Sequence, residues 1–249
     1  MRVGLRAGAR IVRSVVHGLH GVAIVVFTFP SLAEPQRQAR IRSWSATMLR
    51  SIGVTLHVDG TPAAGAKLLV VNHVSWLDIL AVHAVVPEAR FVSKADVKAW
   101  PLLARLIDSA GTLYLEREKK RDALRVVHTM AAALQAGATV AIFPEGTTST
   151  GHGLLPFHAN LVQAAISTAT PVQAAALRYS DATHAVSEAV EFVGATTLLA
   201  SLWHTACGEQ VVARLVFLPP RPSAGRERRE LAEQLRADVG AVLGPANSA

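Results

Sequence analysis

The sequence predicts a single α/β domain whose mixed, largely parallel central sheet is flanked by helices, preceded by a membrane-associated helical segment. Three observations carry that prediction. From residue 54 onward, short apolar runs typical of buried strands alternate with longer stretches of helical period, the pattern of layered α/β folds. The first 52 residues differ, holding an apolar run between two clusters of arginine. The chain has 249 residues, 51% of them hydrophobic, which is enough for one large core and too few for two domains of ordinary size. The expected division is an anchoring segment at 1–52 and a catalytic-type α/β unit at 53–249.

The most apolar stretch runs over residues 14–30. Arg2, Arg6, Arg10 and Arg13 precede it; Arg37, Arg40, Arg42 and Arg50 follow it; only Glu34 opposes them in the first fifty residues. A net charge of +7 by itself selects no partner among nucleic acid, anionic lipid and acidic small molecules. Its placement beside an apolar run selects an anionic membrane surface rather than nucleic acid, each nearby basic residue contributing about 1 kcal/mol. The run contains His17 and His20 and ends at Pro30, which is short for a helix crossing about 30 Å of hydrocarbon. Arginines on both sides give no orientation. A helix that dips into one leaflet and returns is expected, with a full span or a signal peptide as alternatives.

Residues 36–52 place Ile41, Trp44, Met48, Leu49 and Ile52 near helical spacing with arginines between them, which predicts an amphipathic helix. Beyond Gly53 the period changes. Strands are predicted at 54–58 and 68–71, then a helix at 75–86 stopped by Pro87. A strand at 90–93, a helix at 101–107, a strand at 112–115 and a helix at 118–135 follow. The remainder reads as a strand at 139–143, a helix at 160–168, strands at 172–177, 191–193 and 211–218, and a charged helix at 226–239. The single cysteine, Cys207, excludes an internal disulfide and suggests no zinc cluster; no metal site is expected.

Three blocks carry chemistry. In Asn72-His73-Val74-Ser75-Trp76-Leu77-Asp78, a buried strand delivers a histidine just before a helix. Strand-to-helix junctions are where open α/β sheets place their sites. His73 and Asp78 are five apart and would not share a face of one continuous helix. They meet only if His73 precedes the helix and Asp78 sits in its first turn, with Ser75 as the cap. A carboxylate behind an imidazole fixes its tautomer and lets it take a proton from a hydroxyl. Ser75-x-x-Asp78 is equally a capping-box pattern, so the residues alone leave a purely structural role open. The second block, Phe143-Pro144-Glu145-Gly146-Thr147-Thr148-Ser149, combines a glycine turn with hydroxyls that could form an anion nest, or an ordinary turn. The third, Gly111-Thr112-Leu113-Tyr114-Leu115-Glu116-Arg117, ends a strand on an arginine suited to phosphate or carboxylate, or paired with a neighbouring glutamate.

Asn-His-x4-Asp, Gly-x-x-Tyr-x-Glu-Arg, Phe-Pro-Glu-Gly-Thr and Pro171-Val172 occur in that order, and the chain over about residues 35–220 resembles the glycerolipid acyltransferase family, in particular bacterial 1-acylglycerol-3-phosphate acyltransferases. The resemblance implies a glycerol-3-phosphate acyltransferase-like fold and an enzyme of the bacterial inner membrane, its catalytic face cytoplasmic. It implies acyl transfer from acyl-CoA or acyl carrier protein to a lysophospholipid hydroxyl, giving phosphatidic acid, with no cofactor beyond the donor. His73 would be the general base and Asp78 would orient it. Asn72 would hold the local turn, and Arg117 with the Glu145-Gly146-Thr147 turn would bind the acceptor head group. One departure stands out: many members of the family carry Arg where this chain has Thr148. That residue, with the 154–157 and 176–179 stretches, is similar to acyltransferases that complete ornithine lipids. The competing classes are a serine hydrolase using Ser75 or Ser149, against which the lack of a Gly-x-Ser-x-Gly elbow counts, and a non-enzymatic lipid-binding protein.

Overall fold

The computed structural model of the protein describes residues 2–94, 101–115 and 120–244. Seven strands form one sheet: β1 (Val54–Asp59), β2 (Lys67–Val71), β3 (Arg90–Lys94), β4 (Leu113–Leu115), β5 (Thr139–Ile142), β6 (Val172–Ser180) and β7 (Val211–Phe217). Their spatial order is β1-β7-β6-β2-β5-β3-β4. Every neighbouring pair is parallel except β6 and β7. The mixed, largely parallel sheet is therefore as expected. The burial pattern explains it: β2 and β5 are buried at every position and need helices on both faces.

Among the described residues eight α-helices surround the sheet: α1 (Arg2–Ala23), α2 (Glu34–Ile52), α3 (Leu77–His83), α4 (Pro101–Ser109), α5 (Lys120–Gln135), α6 (Gln163–Ser167), α7 (Leu198–Cys207) and α8 (Arg228–Leu243). One core layer joins α2, α3 and α7 to Leu69, Val71, Ala175, Leu177 and Tyr179 of the sheet. The other joins α5, α6 and α8 to Leu68, Val70, Ala174 and Ala176. The alternation of strand side chains separates the two layers.

The amino-terminal segment departs from expectation. Its helix starts at Arg2 and continues from α1 through a π-helical turn at Ile24–Thr28 and a 3-10 turn at Phe29–Ser31, after which α2 returns. Val3–Ser31 has the length and composition to cross a membrane. Its first half, however, is docked on the domain. Ala7 is fully buried in the same core as Met48, Leu49, Ile52 and Val54. Arg10 donates to the carbonyls of Ala206 and Gly208 at 2.9 and 2.6 Å, and Arg6 donates to Cys207 at 3.2 Å. The two arginines thereby satisfy carbonyls at the negative end of α7. Helices α1 and α2 and the sheet share one core. The hairpin is also latched further along, where His17 and Trp44 stack and each donates from its ring to the other's carbonyl, at 2.9 and 3.0 Å.

Two other expectations fail locally. Residues 191–193 form no strand and stay outside the seven-stranded sheet. They follow a 3-10 turn at Glu188–Val190 instead. Helix α7, capped by Thr197 whose side chain accepts from Ala200 N at 3.2 Å, was not foreseen; its sequence is apolar on most faces and gives weak periodicity.

Candidate active site

Parallel pairing of β2 with β5 builds the site. Val70 lies opposite Ile142, so three residues later both chains leave the sheet side by side, at His73 and Glu145. The His73 backbone N–H donates to Glu145 Oε1 at 2.7 Å, and its carbonyl accepts from Ser149 N at 2.8 Å and Ser149 Oγ at 3.1 Å. Two segments 72 residues apart in sequence are joined at one peptide unit.

The imidazole is held as tightly as its backbone. One face stacks on Phe143 with ring centroids 3.9 Å apart, and Phe143 stacks in turn on Phe91. Nδ1 lies 2.7 Å from Asp78 Oδ2. A carboxylate only accepts, so Nδ1 carries the proton and Nε2 presents its lone pair. The His73 side chain is 18% exposed, whereas Asp78 is fully buried.

Asp78 meets His73 as the five-residue spacing required, although Ser75 does not supply the cap. Helix α3 begins at Leu77, and the fully buried Ser75 hydroxyl makes no hydrogen bond among the described residues. The carboxylate does the capping: Asp78 Oδ2 also accepts from Val74 N at 2.7 Å and Ser75 N at 2.9 Å. The structural and chemical readings of this motif are thus both realised in one side chain. The second oxygen, Oδ1, accepts from the Tyr179 hydroxyl at 2.8 Å. Burial first, and then the Asp78 charge and hydrogen bond, push the Tyr179 pKa well up, so it remains a donor.

Asn72 fills a different role. It is 1% exposed, and its amide pairs with both backbone groups of Leu177, donating at 2.8 Å and accepting at 2.7 Å. It extends the β2–β6 ladder past the end of β2 and brings Tyr179 over Asp78. This matches its expected part in holding the turn, and leaves no amide group for substrate.

The Glu145 expectation needs correction. Its carboxylate is 3% exposed, with Oε1 on His73 N and Oε2 on Leu155 N at 2.9 Å. It braces two loops and does not face a head group. Burial raises its pKa, and the two backbone hydrogen bonds oppose that shift. Gly146 turns the chain with φ +69°, and a Cβ there would lie 3.0 Å from the His158 ring. Gly146 and Thr147 are exposed on the rim. The expected nest loses two hydroxyls: Thr148 donates to the Phe192 carbonyl and Ser149 to that of His73. Arg117 lies outside the described residues.

The arrangement suits proton abstraction by an imidazole held fixed at a partly exposed rim. Neither Ser75 nor Ser149 bonds the imidazole, so a serine nucleophile has no support. Tyr179 is a member of the site that sequence reading missed as such, and Ser149, read as a nest hydroxyl or a nucleophile, instead fixes the His73 carbonyl. The alternation Ala175, Leu177, Tyr179 was the available signal for Tyr179.

Comparison with known proteins identifies the family. The sequence model of the Acyltransferase family matches residues 54–178. A lyso-ornithine lipid O-acyltransferase of Pseudomonas aeruginosa is 36% identical over 210 residues, covering 84% of this chain and 80% of that protein. A 1-acyl-sn-glycerol-3-phosphate acyltransferase of Neisseria meningitidis is 36% identical over 202 residues, covering 79% and 77%. The crystal structure of the 1-acyl-sn-glycerophosphate acyltransferase PlsC from Thermotoga maritima superposes with a TM-score of 0.76 over 100% of this chain and 98% of that one. At 17% identity that likeness is one of fold.

Proposed function

The chain belongs to the acyltransferase family, and on that premise we propose that it acylates the free hydroxyl of a lysolipid, with 1-acyl-sn-glycerol-3-phosphate as acceptor and acyl-CoA or acyl carrier protein as donor. The observation that carries the reading is the 2.7 Å contact from His73 Nδ1 to Asp78, which leaves Nε2 as the ring nitrogen for substrate on a side chain partly open to solvent. Nε2 takes the proton from the acceptor hydroxyl as its oxygen attacks the thioester carbonyl. The tetrahedral intermediate collapses, the C–S bond breaks, and the imidazolium returns its proton to the departing thiolate. Asp78 stabilises the imidazolium between these steps. The donor is the only other component the reaction needs.

A second acceptor has a specific observation in its favour. Thr148 supplies no cation, and its hydroxyl is tied to Phe192, so this turn lacks the fixed charge a phosphate monoester would use. A lyso-ornithine lipid fits that change. The test is a panel of lysolipids with one labelled long-chain thioester, run with the unsubstituted chain and with His73→Ala. His73→Ala is expected to lower turnover at least about 100-fold; full activity in that variant would remove the enzymatic reading, and the order of rates names the acceptor.

The membrane surface is the third part of the reading. Leu5, Val12, Val16 and Leu19 recur at helical spacing on α1 and are 81%, 62%, 60% and 55% exposed; Phe27 beyond them is 81% exposed. Exposed Arg13 lies beside them. Arg6 and Arg10 hold the start of this helix on α7, which supports a helix lying along the bilayer rather than through it; the inner membrane and its cytoplasmic face belong to the same proposal. Val16→Asp with Leu19→Asp should release the folded chain from anionic vesicles in a sedimentation assay; unchanged sedimentation would refute the placement.

A further inference from the structure

A cavity of about 230 Å³ opens at the same end of the sheet as His73 but on the other face. Leu177 and Tyr179 belong to the α3 layer, and Ala174 and Ala176 to the α8 layer. Alternation therefore sends Arg178 to the α8 side, where its Nη2 donates to the Leu243 carbonyl at the end of α8. Arg236 of α8 reaches in from the opposite wall, donating to the carbonyls of Leu155 at 3.0 Å and Leu154 at 2.7 Å. Gly151, His152 and Gly153 close the cavity, and among the described residues no carboxylate lines it. His152 is exposed and within electrostatic reach of Glu191.

The charges here are not compensated. Among the described residues neither Arg178 nor Arg236 forms an ion pair; both use only backbone carbonyls. Arg178 Nε is buried and has no hydrogen-bond partner. A guanidinium offers five donors in a planar fork, and a buried unsatisfied donor beside a second guanidinium is best met by an oxyanion. The cavity is also mechanically part of the active site. Leu155 N is held by Glu145, the residue that fixes His73, while the carbonyls of Leu154 and Leu155 are held by Arg236. At Gly151, an added Cβ would lie 3.5 Å from Val74, the neighbour of His73.

We infer that this cavity is a phosphate subsite for one of the two substrates. The inference rests on the acyl-transfer reading. Both substrates of that reaction bring the chemistry: a coenzyme A or pantetheine thioester carries phosphate at the far end of a long arm, and a lysophosphatidate carries it on the head group. Position on the face opposite the imidazole suits the phosphate on the longer arm.

The test measures binding without turnover. Calorimetric titration of the full chain carrying His73→Ala uses coenzyme A in one arm and 1-octanoyl-glycerol-3-phosphate, below its micelle concentration, in the other. Adding Arg178→Gln is expected to weaken one of the two by about tenfold or more, and Arg236→Gln by about threefold. Loss confined to coenzyme A assigns the phosphate to the donor; loss confined to the lysophosphatidate assigns it to the acceptor. In the His73 background restored, the matching KM should rise far more than kcat falls, with partial rescue by Arg178→Lys. If both arms keep their affinity, or if only kcat drops, the arginines merely brace the loop and the inference is overturned. Should Arg178→Gln fail to fold, the exposed Arg236 variant decides alone. An unsubstituted chain that binds neither probe tightly yet transfers acyl groups sinks the subsite only; one that transfers none sinks the enzymatic reading.

Discussion

Strands β2 and β5 carry a buried polar network at each end, and the two ends are built on opposite principles. At the amino ends, Lys67 is 1% exposed, with Nζ 3.1 Å from Thr139 Oγ1, 3.4 Å from the Gly65 carbonyl and 3.8 Å from Glu88. Burial lowers its pKa, with Glu88 opposing the shift. That network closes on itself. At the carboxyl ends, Asp78 collects four donors, from His73, Val74, Ser75 and Tyr179, and Glu145 collects two. Here the carboxylates of Asp78 and Glu145 are fully engaged while the His73 side chain stays partly open to solvent. Rigidity is common to both ends, and reactivity arises only where a well-braced network leaves one basic atom free for substrate.

Breaking each end should separate stability from catalysis. The largest effect is expected for Asp78→Ala, which removes the acceptor for four donors: about a thousandfold or greater loss of turnover, together with a lowered melting temperature. Activity within tenfold of the unsubstituted chain would show that the carboxylate is only a cap. Tyr179→Phe leaves Oδ1 without its hydroxyl donor and should lower turnover by about tenfold and stability by about 1–2 kcal/mol, measured by initial rates and urea unfolding. Lys67→Met, at the closed end, should leave turnover within about twofold and change stability near neutral pH by about 1 kcal/mol or less, since a buried cation and an apolar isostere are close in net stability. Its signature is in pH. The native Lys67 pKa lies below its ordinary 10.5, so between those values the unfolded chain binds more protons. The unsubstituted protein should therefore gain stability relative to Lys67→Met as pH rises from neutrality toward 10.5, and melting curves with no such divergence would place the ammonium in water.

Much of this site was legible before the fold. The spacing of His73 and Asp78, read with the strand before and the helix after, placed one residue outside the helix and the other in its first turn, and both stand there. The Gly146 turn likewise has the backbone it needs. Other parts were not legible. Glu145 reads as a rim carboxylate in sequence, yet its partners are two backbone amides on separate loops. Thr148 and Ser149 read as free hydroxyls, yet both donate to carbonyls, one of them 76 residues away.

The sequence by itself determined the alternation of strands and helices, the largely parallel sheet, the His-Asp pair and the family to which the chain belongs, because periodicity, capping and motif spacing act over a turn or two of chain. Only the tertiary structure decided which strands are neighbours, and with them the 105-residue link from Asn72 to Leu177, the 101-residue link from Tyr179 to Asp78, the docking of α1 on α7 and the pairing of Arg178 with Arg236 across a cavity. Strand order is set by the joint burial of both sheet faces, and no local pattern of residues encodes it.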